Sequence, residues 1–597
     1  MNYAKILLGI ALAGIVSGQA AVNYVGVTSG TDFTTVIDLS SDPSGTYGGS
    51  YDSATRTWTW SAADTFVLQE IITIANGTLV IEAGSVVRGQ PRADGATYNS
   101  GSLLIARSAK LIADGTAADP IIFTTASTTG ATTGGRASGA SPAFWDANPK
   151  TAPQPAATAG VWGGVLLLGY APTNVDRFTS TTSVNIYGER TADYNASHVL
   201  QAYTMDDSSG IEGVPNGTAA VSGGHDRFGG SQATHNSGIL RYASIRHGGA
   251  NLGPNNEING LTLGGVGSGT TVEFIEIWGN TDDGIEIFGG TVNLNNVAVF
   301  YAQDDGIDLD VGYTGTIQFA LVVAGSLSDK LGEWDGSYQG EPITFTGDVS
   351  ATTGAVSASL LPVASYTIAN ATFIGNPNVQ DTITTSSGRH SLHIRDQSAA
   401  RLVNSIVVNP NLNAIEVDTR GTEDEHDTTR RLQQGVAYFR GVTCYDATAT
   451  DYTAFNASAT VTTAVTTAAA WVNDGSNDTM VEAALERAAN LNYFNQNPGF
   501  AKVPVSVNAN QATRLASQDG ALGSGLALNP VPNSSGTADA GSFDVVLDDT
   551  IAGYNDSLQF ASYRGAFDPT LSLDLWTTGW TAASTADVIV AKGDGSL

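Results

Sequence analysis

The sequence predicts an all-β fold, built as a solenoid of short parallel strands, and three observations indicate it. The 597 residues include 69 glycines and 19 prolines, which is typical of many tight turns and disfavours long helices. From residue 78 onward, apolar residues recur in short bursts separated by Gly, Asp or Asn. Residues 280–287 and 302–309 repeat one pattern at an offset of 22 residues, about the length of a coil with three strands and three bends.

The N-terminal segment has the three regions of a secretory signal peptide. Lys5 precedes an apolar run over residues 6–16, and small residues follow over 17–21, so we expect cleavage after Ala20. No later apolar run reaches the roughly 18 residues that a transmembrane helix requires. The mature protein is therefore expected to be secreted, extracellular or at the cell surface, with the periplasm as the alternative.

The remaining chain is expected to form one long stack rather than several domains. Apolar bursts that fit successive coils occur at residues 240–246, 261–263, 271–278, 291–301, 316–323, 366–374, 392–394, 402–408 and 435–444. The predicted parts are a β-rich cap over 21–70, the solenoid over 71–450 with long projecting loops at 125–158 and 189–235, and C-terminal coils over 451–597 with a short helix at 478–489 and a closing segment. Cys444 falls inside a burst and is expected to be a core residue.

The balance of charge excludes some classes of partner. The chain has 57 acidic and 26 basic side chains, a formal net charge of −31. DNA, RNA and anionic membranes are not expected partners, because phosphate binding needs clustered Lys and Arg. Charged residues make up only 14% and hydrophobic residues 42%, which is not the composition of a disordered acidic tail.

Several segments resemble a known family. Residues 79–89 (LVIEAGSVVRG), 160–169 (GVWGGVLLLG) and 256–267 (NEINGLTLGGVG) are similar to a group of secreted, mostly uncharacterised Gram-negative bacterial proteins with a pectate-lyase-like fold. The resemblance extends over about residues 55–582. It implies a single-stranded right-handed parallel β-helix with loop insertions and a minor C-terminal helix. It implies little about activity, since members are known mainly as exported or surface-associated proteins.

Acidic residues recur at the coil period. If Ile285 and Ile287 point into the solenoid, alternation places Asp282 and Glu286 outside, and the next coil stacks its own carboxylates beside them about 4.8 Å away. We call this set the acidic ladder; it consists of Asp282, Asp283, Glu286, Asp304, Asp305, Asp308 and Asp310, and Asp329, Glu333 and Asp335 could extend it. Carboxylates so close repel, so they need a cation, a shared proton or good solvation.

Three interpretations of the ladder stay open. The Asp-Gly pairs can be bends whose carboxylates cap backbone N–H groups. The carboxylates can bind calcium, which prefers acidic oxygen ligands, although their order fits neither an EF-hand nor the glycine-rich calcium nonapeptide. The third interpretation is catalytic: Asn280-Thr281-Asp282 and Gln303-Asp304-Asp305 are similar to the first two motifs of the polygalacturonases, which implies acid–base roles for Asp282, Asp304 and Asp305.

The catalytic resemblance is incomplete. One coil further on, residues 326–336 contain no histidine where the polygalacturonases have Gly-His-Gly, and no Arg-Ile-Lys follows. Arginine is also scarce in the sequence around the ladder. The sequence therefore favours an exported β-helix protein with a structural, adhesive or glycan-binding role, stabilised by calcium, whose partner is an extracellular polysaccharide or surface. The alternative is a polysaccharide-degrading hydrolase or lyase.

Overall fold

The protein is a parallel β-helix, as the sequence predicts. The computed structural model describes residues 21–26, 34–93, 100–174, 178–179, 182–183, 210–215, 223–252, 257–336, 364–376, 392–396, 398–410, 414–417, 428, 431–432, 436–445, 472–473, 493–494, 530–531, 558–559, 561, 563–568, 575–586 and 588–589. The predicted signal peptide and the predicted helix at 478–489 lie outside these residues. None of the described residues forms a helix long and apolar enough to cross a membrane.

Each coil places its strands in three parallel stacks. The first stack contains β2 (Thr34–Asp38), the start of β6 (Ile71–Ile81), β8 (Ser102–Ile105), β11 (Val165–Leu168), β15 (Leu261–Gly264), β17 (Ile285–Phe288), β19 (Ile307–Asp310), β21 (Gly332–Asp335), β24 (Leu392–Arg395), β27 (Ile415–Val417) and β30 (Val472–Asn473). Every neighbouring pair in it is parallel, so each coil adds one strand to the stack beside the strand of the coil before.

The second and third stacks share several long strands. The second contains β4 (Thr57–Trp60), the end of β6, β9 (Ala109–Asp114), the starts of β14 (Gly238–Gly248), β16 (Thr271–Asn280), β18 (Asn293–Ala302) and β20 (Thr316–Val323), then β22 (Thr367–Ala369), β25 (Arg401–Val403) and β28 (Tyr438–Arg440). The third contains β1 (Val22–Val25), β5 (Thr65–Leu68), β7 (Val86–Gly89), β10 (Ile121–Thr125), the ends of β14, β16, β18 and β20, then β23 (Thr372–Ile374), β26 (Ile406–Val408), β29 (Thr443–Tyr445) and β31 (Tyr493–Phe494).

A few elements stand outside the stacks. They are β3 (Ser50–Asp52), which pairs antiparallel with β4, the antiparallel pair β12 (Phe178–Thr179) and β13 (Thr182–Ser183), and the four-residue helices α1 (Ser44–Tyr47) and α2 (Ala582–Thr585). In the segment predicted as a β-rich cap, 21–70, the strands β1 and β2 belong to the stacks of the β-helix, since they pair parallel with β5 and β6.

The long strands turn between the second and third stacks at a left-handed residue. Tyr242, Phe274, Asn296 and Phe319 have φ between 46° and 58°, a conformation that costs most residues energy. Stacking offsets part of this cost, because the rings of Tyr242 and Phe274 lie 4.3 Å apart with planes 6° from parallel. The bend residues of successive coils therefore lie above one another and form a separate column of stacked side chains.

The core fills the interior of the coils. Ile285, Ile287, Ile307 and Leu309 are completely buried there, which confirms the predicted inward positions. Cys444 is also completely buried, as expected. Such alternation follows from strand geometry alone, since successive side chains point to opposite sides.

Residues 125–158 cover the outer side of the third stack instead of projecting from it. Arg88 in β7 donates to the carbonyl of Asp146 at 2.7 Å, and Trp278 in β16 donates to the carbonyl of Gln154 at 2.9 Å. Asp146 is completely buried. The predicted projecting loop is therefore a packed layer here, because its backbone carbonyls satisfy outward side chains of the stack. Of the second predicted loop, residues 189–209 and 216–222 lie outside the described part of the chain.

A second cover comes from the end of the chain. We call residues 558–589, where described, the C-terminal strap. It contacts many coils through the hydrogen-bonded pairs Gln559–Gln318, Tyr563–Asn370 and Ala566–Thr372 and the ring pairs Trp576–Phe274 and Trp580–Tyr242. The strap thus connects coils that lie far apart along the sequence.

Candidate functional site

The register of the first stack places the acidic residues of three coils side by side. Glu286 lies opposite Asp308, and Asp308 lies opposite Glu333, so one outward column carries a carboxylate on each of three coils. The predicted 22-residue repeat is confirmed by this pairing. Asp310 does not join a carboxylate on the preceding coil, because its partner there is Phe288. The expectation that Asp310 extends the same columns is therefore wrong; it begins a separate column.

The bends before these strands use two carboxylates as backbone caps. The N–H of Asp305 donates to Oδ1 of Asp283 at 2.9 Å, and the N–H of Lys330 donates to Oδ1 of Asp305 at 2.7 Å. Each bend is thus held by the aspartate of the coil before it. The capping interpretation describes these two oxygen atoms, but it leaves the second oxygen of each residue and the remaining carboxylates of the ladder unexplained.

The carboxylates form overlapping clusters. In each of four groups, one oxygen per residue lies within 4.8 Å of the others; the groups are Asp282–Asp283–Asp304, Asp283–Glu286–Asp308, Asp304–Asp305–Asp329 and Asp305–Asp308–Glu333. Because neighbouring groups share members, the ladder is continuous over three coils. Asp308 belongs to two of the groups, and its Oδ1 is buried without a hydrogen-bond partner among the described residues.

Burial and mutual repulsion make the ladder hard to ionise. Burial, followed by the charges of Glu212 and Asp304, raises the pKa of Asp282 to about 8. Burial and the charge of Asp329 raise the pKa of Asp304 to about 6. The pKa values of Asp283, Glu286, Asp305 and Asp308 also lie well above the usual range, with burial as the first cause. Without a cation, the ladder therefore retains protons at neutral pH.

Glu212, in a surface segment, and the buried Asn259, just before β15, add an acidic and an amide group that the sequence did not indicate. The Nδ2 group of Asn259 donates to Oε2 of Glu286. Burial and the charge of Glu257 raise the pKa of Glu212 to about 7. Glu212 lies in the Gly-, Asn- and Asp-rich segment after the first predicted coils, and no periodic signal connects such a segment with a particular coil.

Basic groups close the ladder at its C-terminal end. Arg395 in β24 donates to Glu333 at 2.6 Å and to Asp335 at 2.7 Å. Nδ1 of His393 lies 3.1 Å from Oε1 of Glu333. Although burial opposes it, the hydrogen bond from His393 and the charge of Arg395 hold the pKa of Glu333 below its usual value. Arginine is scarce in the sequence around the ladder, but the fold brings Arg395 to it from 60 residues beyond Asp335.

A lysine ends the column of capping aspartates. Lys330 follows Asp283 and Asp305 at the equivalent bend of the third coil, and its Nζ lies 3.1 Å from Asp329. Its side chain is 2% exposed, so the ammonium group neutralises this end of the ladder from within. The positive charges thus lie on the third and fourth coils, while the carboxylates of the first two coils have no basic partner of this kind among the described residues.

The three residues of the catalytic interpretation are close together but are not equivalent. Asp282 and Asp304 share a cluster, and both are more accessible than Asp305. Asp305 is 5% exposed and accepts the Lys330 backbone N–H, so one of its oxygens already has a structural role. Of these three residues, Asp282 and Asp304 are therefore the ones that an external molecule can reach.

Comparison with known proteins supports the same architecture. Residues 207–483 match the family model described as a pectate-lyase like beta helix domain, and this segment contains the whole ladder and its basic end. No curated protein and no solved structure matches the chain. By its strand topology and by this match, the chain is a parallel β-helix protein.

Proposed function

We propose that this is an exported protein of the extracellular space or cell surface that binds glycans along its stacks and holds calcium in the acidic ladder. The observation that carries the proposal is the continuous run of four carboxylate clusters over three coils. Calcium accepts six to eight oxygen ligands in flexible geometry, which suits carboxylates fixed by strand register. Magnesium requires a stricter octahedron and suits this arrangement less well.

The ligands would be side chains rather than backbone carbonyls. The carbonyls of Asp283 and Asp305 accept N–H groups of neighbouring coils at 3.0 and 2.9 Å. Glu286, Asp308 and the free oxygens of Asp283 and Asp305 provide the acidic ligands instead. A calcium ion bound in one cluster would replace the protons that the raised pKa values indicate, and it would join two neighbouring coils through their outer side chains.

Calcium is expected to raise the melting temperature of the wild-type protein, and a chelator is expected to reverse the rise. A ligand present at 100 times its dissociation constant stabilises the folded state by about 2.7 kcal/mol. Asp308→Asn should abolish most of the rise, because Asp308 belongs to two clusters. Asp119→Asn, at an exposed turn outside the ladder, is the matched control and should respond like the wild type. An equal calcium shift in both variants, or no shift in the wild type, contradicts calcium binding in the ladder.

A second candidate function is hydrolysis or elimination on a polysaccharide. It is favoured by the raised pKa values of Asp282 and Asp304, about 8 and about 6, since a carboxyl group that keeps its proton near neutral pH can act as a general acid. The family match, whose description refers to pectate lyase, supports a role connected with polysaccharides.

A depolymerisation screen separates the two candidates. If the ladder is catalytic, polygalacturonate or another polysaccharide is shortened by the wild type, and Asp304→Asn lowers the rate by about 100-fold or more. Asp119→Asn should keep the full rate. We expect no shortened product from the wild type, in agreement with a binding protein; a product that disappears in Asp304→Asn alone would establish the enzyme.

A further inference from the structure

The outer side of the second stack carries a group of basic and aromatic side chains near its C-terminal end. Arg401 in β25 lies directly opposite Tyr438 in β28, and Arg440 follows two residues later on the same side of β28. The intervening residue Phe439 belongs to the core. Strand alternation therefore places Arg401, Tyr438 and Arg440 together on the outer surface of two neighbouring coils.

The ring of Tyr438 holds the two guanidinium groups close together. Cζ of Arg440 lies 4.4 Å and Cζ of Arg401 lies 5.9 Å from the ring centroid. Nε of Arg401 donates to the carbonyl of Val436 at 3.2 Å, which fixes its direction. Both contacts fall within the range of cation–π attraction, so the two cations are ordered although they repel each other.

These two arginines differ from another arginine of the same stack. Arg241 in β14 donates to Asp114 at 2.7 and 2.8 Å and lies 3.7 Å from Glu273. Within the described part of the chain, neither Arg401 nor Arg440 has a carboxylate within 4.0 Å. In a chain with a net charge of −31, two adjacent guanidinium groups without a carboxylate partner among the described residues form a positive spot.

Polar atoms at this spot also lack partners. Tyr438 is 7% exposed, and its hydroxyl group is buried with no hydrogen-bond partner among the described residues. Nε of Arg440 is also buried and has no hydrogen-bond partner among the described residues. Buried polar groups normally have a partner, and a donor without one costs about 1–3 kcal/mol. An oxygen-rich ligand would supply the missing acceptors.

We infer that Arg401, Tyr438 and Arg440 form a subsite for the carboxylate group of an acidic polysaccharide. Guanidinium groups bind carboxylates through paired N–H donors, and the tyrosine hydroxyl can donate to a second oxygen. A polyphosphate would be repelled by the acidic remainder of the protein, whereas a sugar chain with single, spaced carboxylates bears less charge per length. This inference rests on the glycan-binding part of the proposed function and is independent of calcium in the ladder.

The test uses tetragalacturonate as the probe, and calorimetric titration of the full-length protein in chelator measures its binding. The wild type should bind it, and the double variant Arg401→Gln/Arg440→Gln should bind at least about tenfold more weakly, because two charge-assisted contacts are lost. Arg241→Gln removes one positive charge from the same stack at a paired position and should keep wild-type affinity. A neutral galactose tetramer should bind the wild type and the double variant equally weakly.

Several outcomes would overturn the inference: no binding by the wild type, equal affinity of the wild type and the double variant, or an equal loss in Arg241→Gln. The calcium-dependent melting shift of the double variant is measured in parallel. If that shift is normal while tetragalacturonate fails to bind, the carboxylate subsite is wrong and the calcium site stands. A single-variant series, with Tyr438→Phe retaining the ring, distinguishes ligand contact from packing, since only the hydroxyl group is removed.

Discussion

Glu276→Ala is expected to lower the free energy of unfolding by about 3–5 kcal/mol, the usual cost of breaking a buried charge pair. Glu276 in β16 is completely buried. It accepts N–H groups of Ala582 and Ala583 at the start of α2, at 2.7 and 3.0 Å, and its carboxylate lies 3.9 Å from Arg246. Removing it leaves two buried N–H groups without their acceptor and the buried Arg246 guanidinium without this counter-charge.

The effect should spread along the molecule, because Glu276 anchors the C-terminal strap. Ala582 is 306 residues away in sequence, so this one carboxylate joins the end of the chain to a middle coil. Loss of the anchor should increase proteolysis near residues 575–589 before the stack itself unfolds. Denaturant unfolding and limited proteolysis with mass spectrometry measure the two effects.

Glu273→Ala is the matched control, on the same strand but at its partly exposed start. Its carboxylate lies 3.7 Å from Arg241, and about a third of the side chain is exposed, 34%. The expected loss is at most about 1 kcal/mol, as for other exposed pairs. Glu276→Gln keeps an acceptor for α2 and should fall between the two. Equal stability of Glu276→Ala and Glu273→Ala would show that the strap does not depend on Glu276.

The calcium-free protein is expected to lose stability as the pH rises from about 4.5 to about 8. A carboxyl group whose pKa is raised by folding binds its proton more tightly in the folded state. Its contribution is fully present below the unfolded pKa, near 4, and is lost as the pH passes the folded pKa. For Asp304, Asp310 and Asp282 the folded pKa values are about 6, about 7 and about 8, which places the loss in this window.

Melting curves across this pH range, recorded once in chelator and once in calcium, measure the effect. Each unit of raised pKa corresponds to about 1.4 kcal/mol for a fully buried group, and less for an accessible one such as Asp304. Calcium should flatten the curve, because the ion stabilises the ionised ladder at high pH. Asp283→Asn/Asp308→Asn should flatten the curve in chelator as well. A melting temperature in chelator that stays constant or rises from pH 5 to pH 8 would falsify the proposed state of the ladder.

The sequence predicted much of the ladder, since the required signals are local. Alternation gave the inward positions of Ile285 and Ile307 and the outward position of Glu286, and the 22-residue repeat placed Asp308 beside it. The Asp-Gly pairs marked the bends at Asp283 and Asp305. Each of these inferences needs only strand geometry within two coils of equal length.

The other components of the site depend on longer connections. The third coil lies 25 residues after the second, and the fourth lies 60 residues after the third, so the simple period no longer predicts a partner. No pattern in the sequence therefore predicted that Arg395 and His393 lie beside the ladder. Glu212 comes from a surface segment whose position over the stack is decided by packing, and Asn259 lies just before β15, where its amide contacts Glu286 of the next coil.

The sequence by itself determined the fold class, the core positions and the periodic acids, because a parallel stack repeats local geometry at a fixed spacing. Only the tertiary structure decided which distant groups complete these surfaces: the basic end of the ladder, the Arg401–Tyr438 pair and the strap anchored on Glu276. The physical reason is that insertions of unequal length change the separation of two residues along the chain but not the spacing between coils. The positions of the covering segments are set by the apolar surface that they bury and by the charges that they pair.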